Sequence, residues 1–361
     1  MFGFLTRLIT WVVAIYILLA GTFNSNYIGL DIPFINDYIV INNSNIEPTK
    51  INNNLKHKEY HLYNKLSYGQ KNLYDTLLSK SIDILEGNTN DTTIYLTLED
   101  LGFKKDVENE VDLENKWNDY FENDFKRYQV VDALESDYGY YMWWYGGPYY
   151  YGSVIVLPSI TNKDPSKTIV GIYLYSTNSN NSLYLMDSLI SSARSAYNNA
   201  KDVANSVEGL SDIEKMDYFK EYLLSTSVYD YEAFDASKEK EEIGLDEEYY
   251  KKYKNSYTFI NIFDDNPETK VVCSGYAESF LLLCDLANIE NCYYMSGMTS
   301  GRHAWNKYYS DGNIYLIDIT NSSDDSIGRK GDLYMAQIND EDTYSFNIHG
   351  QIITYKEDVF E

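Results

Sequence analysis

Hydrophobic positions recur at helical spacing in some stretches and alternate with period two in others, and the switches between them lay out the elements. Past Leu66, Ser67 and Gln70 have the spacing of a capping box. Leu73, Tyr74, Leu77, Ile84 and Leu85 then follow at helical intervals up to Gly87, which predicts a first helix. Thr93 to Leu98 reads as a strand, and a second helix carries Leu113, Trp117, Tyr120, Phe121 and Tyr128 on one side. The run YGYYMWWYGGPYYYGSVIVL, Tyr138 to Leu157, reads as a hairpin turning at Gly146-Gly147-Pro148, with aromatic cross-strand pairs packed on the helices. Ile169 to Tyr175 supplies another strand. A Ser/Asn-rich turn, Ser176 to Ser182, leads into a long helix reaching about Val203. Ser211 and Glu214 make a second capping box, opening a helix with Ile213, Met216, Phe219 and Leu223 on its buried side. That helix ends at Ser227 to Asp230. The Lys/Glu-rich segment Phe234 to Lys254 lacks an apolar stripe and reads as a surface loop with some helix.

The N-terminus departs from both patterns. One basic residue, Arg7, precedes an unbroken apolar or small-residue run from Leu8 to Phe23. A buried core helix would show polar positions at helical spacing, so residues 1–24 are expected to be a signal peptide or membrane anchor. Either outcome places the body outside the cytoplasm, anchored at its N-terminus or secreted. Residues 25–60 are Asn-rich and without period, a spacer. The expected organisation is then an N-terminal α+β unit over 61–180, carrying the aromatic hairpin, and a second domain over 181–361.

Composition removes several classes of function. With 29 basic against 55 acidic residues the net charge is −26, and no Lys/Arg cluster exists to neutralise phosphates, so no nucleic-acid partner is expected. Membrane contact is expected only through the N-terminal segment. The three cysteines, Cys273, Cys284 and Cys292, are too few and too close together to form a disulfide framework. With no CxxC pair and only four His, no metal site and no cofactor are expected. Cys284 falls on the apolar face of its predicted helix as a small hydrophobe, although a bridge from Cys284 to Cys292 remains open.

Candidate chemistry sits in three segments. In VVCSGYAESFLLLCDLANI, Val271 to Ile289, Cys273 stands ahead of Ala277, Phe280, Leu281, Cys284 and Ala287 at helical spacing. A helix N-terminus favours the thiolate, and Ser or Asp would cap better, so a thiol there points to nucleophilicity. In GRHAWNKYYSDGNIYLIDIT, period-two alternation flanks Asp311-Gly312, the signal of a two-residue hairpin turn. The register pairs Ser310 with Asn313, Tyr308 with Tyr315, Trp305 with Asp318 and His303 with Thr320. Asp318 then lies diagonal to His303 on one face, within reach of its ring. Such a carboxylate fixes the tautomer that lets a histidine serve a thiol. Singly, each residue has an ordinary structural reading; their joint occurrence is what points to a triad.

CSGYAESF, GRHAWNKYY and IYLIDIT together resemble the bacterial transglutaminase-like domain, a branch of the papain-like cysteine hydrolase superfamily. The resemblance covers about Ser211 to Thr320, including Tyr229-Asp230. It implies an α+β fold with a Cys-bearing helix packed on an antiparallel sheet. It also implies Cys273 as nucleophile, His303 as general acid and base, and Asp318 as its orienter. Where relatives often carry Trp after Asp-x-Thr, this chain has Asn321, a change expected at the rim rather than in the triad. The Cys273 N–H is the expected oxyanion donor, with Tyr229, Ser274, Gly275 and Trp305 as support candidates. The expected activity is cleavage of a peptide or amide through a thioester, hydrolysis favoured over amine transfer, on a peptide or protein that includes cell-wall peptide. The rival expectation is a silent surface binding module, whose aromatic hairpin holds a glycan or protein.

Overall fold

Capping chemistry and core-facing stripes set the helices where the spacing places them. The computed structural model describes residues 40–41, 47–52, 55–59, 62–145, 151–156, 168–174, 184–239, 249, 252–322, 333–339 and 341–358. The expected leader, the Gly146-Gly147-Pro148 turn and the boundary at 180/181 lie outside them. Among the described residues no helix is long and apolar enough to cross a membrane.

In the first half, β1 (Val40–Ile41) precedes α1 (Tyr68–Leu85). Ser67 Oγ accepts from the Gln70 N–H at 3.4 Å, and Gln70 Oε1 accepts from the Ser67 N–H at 2.8 Å, so the predicted capping box forms. Gly87, at φ 75°, takes the left-handed conformation just past the helix end. Next come β2 (Thr93–Thr97), α2 (Glu110–Asp119), a π-helical turn over Tyr120–Asp124 and α3 (Tyr128–Tyr138). The single second helix expected from the spacing is thus two. Lys126, at φ 49°, breaks the path between them, and Tyr128 opens α3 with its ring exposed.

The aromatic hairpin does not form as expected. Tyr138 ends α3, and Gly139–Met142 continues as a 3-10 turn. β3 (Tyr151–Val156) pairs antiparallel with β4 (Ile169–Leu174) and parallel with β1, in a sheet ordered β1-β3-β4-β2. Tyr140, Met142, Trp143, Trp144 and Tyr145 are all buried in the main core. Burying that much aromatic surface outweighs strand propensity, which mainly reflects side-chain surroundings.

The second half continues with α4 (Asp187–Asn205) and α5 (Asp212–Thr226). The α5 capping box is present, with the Ser211 N–H donating to Glu214 Oε2 at 2.9 Å. Met216, Phe219 and Leu223 are fully buried, but Ile213, in the first turn, is 44% exposed. Then follow β5 (Val228–Tyr229), α6 (Tyr231–Glu239), β6 (Lys270–Val271) and α7 (Cys273–Leu286). The remaining strands are β7 (Cys292–Met298), β8 (Arg302–Ser310), β9 (Asn313–Ile317), β10 (Tyr334–Ile338), β11 (Thr343–Ile348) and β12 (Gln351–Glu357). They form an antiparallel sheet ordered β10-β9-β8-β7-β12-β11. Helix α7 lies on β7 and β8, its Phe280, Leu281, Leu283 and Cys284 buried.

The architecture is therefore mixed helix and antiparallel sheet, compatible with α+β. Residues of α1, α3, α5 and α7 belong to one hydrophobic cluster. The described residues of the Phe234–Lys254 segment include the expected helical part, within α6, but are not all at the surface. Tyr249 and Tyr253 pack with Ala233 and Val272, and Lys254 is buried with its Nζ donating to the Trp144 carbonyl at 2.6 Å.

Candidate active site

Two short strands deliver the thiol. β5 pairs in parallel with β6, Tyr229 opposite Val271, and the next residue but one, Cys273, opens α7. Val272 holds the cap position without a side-chain cap, so a Ser or Asp at 273 would not have been the helix cap, contrary to expectation. The Val272 N–H donates to the Ser256 carbonyl at 2.9 Å. A Cβ at Gly275 would come within 2.8 Å of that same carbonyl, so glycine is what lets the start of the helix lie this close. Asp230 ties the corner together, with Oδ1 accepting from the Ala233 N–H and Oδ2 from Ser256 Oγ.

The hairpin delivers the other two groups. Asp311 and Gly312 both have positive φ, 51° and 76°, as a type I′ turn requires. Ser310 pairs with Asn313, Tyr308 with Tyr315 and Asn306 with Ile317, in the expected register. The ladder stops there. Thr320 starts a 3-10 turn and does not face His303, whose ladder partner is Gly297 on β7. Asp318 leaves the strand with its N–H donating to the Leu333 carbonyl.

His303 Nε2 lies 2.7 Å from Asp318 Oδ2, and Cys273 is near enough to act electrostatically on the His303 ring. With Nε2 held by the carboxylate, Nδ1 is the nitrogen left for the sulfur. Cys273 is half-buried, and Asp318 has no exposed surface. Burial would lower the pKa of the imidazole, but the charge and hydrogen bond of Asp318, helped by Cys273, raise it from 6.5 to about 10. Burial likewise opposes ionisation of Asp318, yet His303, Tyr355 and Asn321 hold its carboxyl below the usual range. Around the ring, Trp305 stacks on His303 with centroids 5.9 Å apart, and Tyr355 meets Trp305 edge-on at 5.0 Å.

The Asp318 clamp includes two residues that sequence reasoning missed. Tyr355, from β12, donates its hydroxyl to Asp318 Oδ2 at 2.5 Å. Asn321 donates Nδ2 to Oδ2 at 2.8 Å and its backbone N–H to Oδ1 at 3.1 Å. Asn321 therefore touches the carboxylate directly instead of only shaping a rim. Its spacing, three residues after an Asp that leaves a strand, is that of a local cap and was a usable signal. Nothing in the sequence marks Tyr355.

The support candidates separate. Tyr229 lies near the thiol, and after burial the charge of Cys273 helps push its hydroxyl pKa up. Trp305 packs the histidine. Ser274 Oγ donates to the Tyr257 carbonyl and accepts from the Tyr294 hydroxyl, while Gly275 serves close packing. Cys284 and Cys292 are buried free thiols, and burial, with Cys292 nearby, pushes the Cys284 thiol up. Among the described residues no cluster of His, Cys, Asp or Glu is arranged to hold a metal.

No family model and no curated protein matches the chain. Among solved structures, one described as "Crystal structure of a TGase" is 15% identical, with a TM-score of 0.29 over 47% of this chain and 51% of that one. The chain thus spans about half the length of that structure, and a similarity this low has no bearing on activity.

Proposed function

We propose that the chain is a transglutaminase-like thiol enzyme that cleaves peptide or amide bonds outside the cytoplasm. The observation that carries the reading is His303 hydrogen-bonded to a buried Asp318, with the Cys273 thiol in its neighbourhood. The sulfur adds to the amide carbonyl carbon, and the carbonyl oxygen becomes an oxyanion accepting from the Cys273 N–H, with Tyr229 beside it. The C–N bond then breaks, the imidazolium of His303 gives its proton to the departing amine, and a thioester on Cys273 remains. Water, losing a proton to His303, attacks the thioester and releases the acid and the thiol. An amine in place of water would give transfer, and hydrolysis is the reading we favour. Asp318 keeps the proton on Nε2 and stabilises the imidazolium throughout.

Iodoacetamide at neutral pH tests this. Cys273 should be alkylated far faster than Cys284 or Cys292, and His303→Ala should remove the preference; equal, slow labelling of all three would overturn the reading. The location is tested separately, by fusing residues 1–60 to a reporter active only outside the cytoplasm. A stable, soluble and silent fusion would refute export.

A further inference from the structure

A cavity of about 380 Å³ lies against the back of the site, between α1, α3 and β4 on one side and β7 and β8 on the other. Its size falls within the range of small-ligand sites. Leu73, Leu77 and Leu174 give it an apolar wall. Asp132 and Glu135, one turn apart on α3, give it an acidic one, Asp132 exposed and Glu135 half-buried. Tyr294 and Arg302 close the side toward the triad. The Tyr294 hydroxyl donates to Ser274 Oγ at 3.2 Å, next to Cys273, and Arg302 directly precedes His303.

Arg127 and Arg302 also line the cavity, yet neither forms an ion pair with Asp132 or Glu135. Arg302 is engaged on both nitrogens by Asp358, at 2.7 and 2.8 Å. Among the described residues neither Asp132 nor Glu135 has a salt bridge or hydrogen bond. Burial, then the neighbouring charge of Asp132, pushes the Glu135 carboxyl up to about 8. The other groups coupled to Glu135 are Glu278 of α7 and Tyr294 of β7, and neither is cationic. With its carboxyl at about 8, Glu135 is mainly the neutral acid at pH 7.5 beside Asp132, and a cation carried on an apolar stem would supply the missing charge and draw Glu135 into its ionised form. An ammonium has three donors, enough for both carboxylates. A hard divalent metal would need six or more oxygens, which this wall does not supply.

We propose that this cavity is a recognition subsite for a primary ammonium on an aliphatic stem, such as a lysine-like side chain of the peptide being cleaved. Glu135 and Asp132 hold the charge, and the leucine wall holds the methylenes. The carboxylates keep the amine protonated and therefore non-nucleophilic, so the bound group is a specificity handle and not the reacting amine. The assignment to a peptide substrate rests on Cys273 acting as proposed above; the binding itself does not.

The test is calorimetry of n-pentylammonium chloride and of 1-pentanol with the full chain at pH 7.5. The account expects the ammonium to bind at least tenfold more tightly than the alcohol, and Glu135→Gln or Asp132→Asn to weaken it at least tenfold. Equal binding of the two probes, no binding, or undiminished affinity in whichever of the two variants folds would overturn the subsite. Cys273 labelling on the same samples keeps the two readings apart. Selective binding with an inert thiol would sink the enzyme and leave the subsite. A reactive thiol without selective binding would sink the subsite alone.

Discussion

Replacing Asp318 by Asn removes one charge from the least exposed group of the site and leaves its shape. In the native chain the carboxylate accepts from His303 Nε2, the Tyr355 hydroxyl and both nitrogens of Asn321. An amide oxygen in the Oδ2 position keeps its three donors and sets the NH₂ against the Asn321 backbone N–H; turned the other way, the NH₂ meets Nε2, the ring proton moves to Nδ1, and the tautomer is wrong for taking a proton from sulfur. Either way the charge is lost. The His303 pKa is raised from 6.5 to about 10 against the opposing effect of burial, a strong stabilisation of the imidazolium. Asp318 is its leading source, ahead of Cys273. Turnover of a p-nitrophenyl ester should fall by about 10³ to 10⁴, the loss seen when an orienting carboxylate is neutralised in a serine triad. With only four histidines in the chain, NMR of labelled imidazoles can follow His303 directly. In Asp318→Asn its titration should drop below 6.5, because burial is then unopposed. An unchanged titration or near-native turnover with the fold intact would refute the clamp as the source of the shift.

Tyr229→Phe should lower kcat by about 10- to 100-fold with little change in KM, because an oxyanion contact acts only as charge develops; undiminished kcat would exclude Tyr229 as a donor. Glu278→Gln should stabilise the fold at alkaline pH. Burial raises the Glu278 carboxyl from 4.5 to about 8, so stability is fully present below 4.5 and is lost as pH rises through about 8. The amide oxygen can still accept from the Phe259 N–H, as Glu278 Oε2 does at 3.0 Å. Urea midpoints at pH 5 and pH 9 should therefore differ less in Glu278→Gln than in the native chain, and an unaltered difference would contradict the assignment. Tyr249→Ala should cost about 3 kcal/mol, since the ring is buried and its hydroxyl donates to the Ala233 carbonyl. A loss under about 1 kcal/mol in denaturant unfolding would return that segment to the surface.

What the sequence made legible is what local chemistry decides. Both capping boxes and the Asp311-Gly312 turn formed because each depends on residues two or three apart. The hairpin register followed by counting from the turn, which put Asp318 within reach of His303 although the ladder ends one residue earlier. What stayed hidden is set by distant contacts. Tyr355 reaches Asp318 because β12 docks beside β7, with β8 and β7 between it and β9 in the sheet, and no spacing in the chain encodes that pairing. The aromatic run before Gly146 has the composition of a strand, yet its place at the end of α3 buries it in a core shared with α7. Tyr249 and Tyr253 sit among charged residues, and only the fold shows that Val272, the residue before the thiol, is their neighbour.

The most direct test of the central claim is to trap the acyl-enzyme. Mixed with p-nitrophenyl acetate and quenched within seconds, the native chain should carry one acetyl group, mapped by peptide mass spectrometry to Cys273 and lost on incubation at neutral pH. Cys273→Ala should carry none above background, and Asp318→Asn should form the adduct slowly. Acetyl spread over lysines with Cys273 unmodified, in a chain whose fold is intact, would contradict the account.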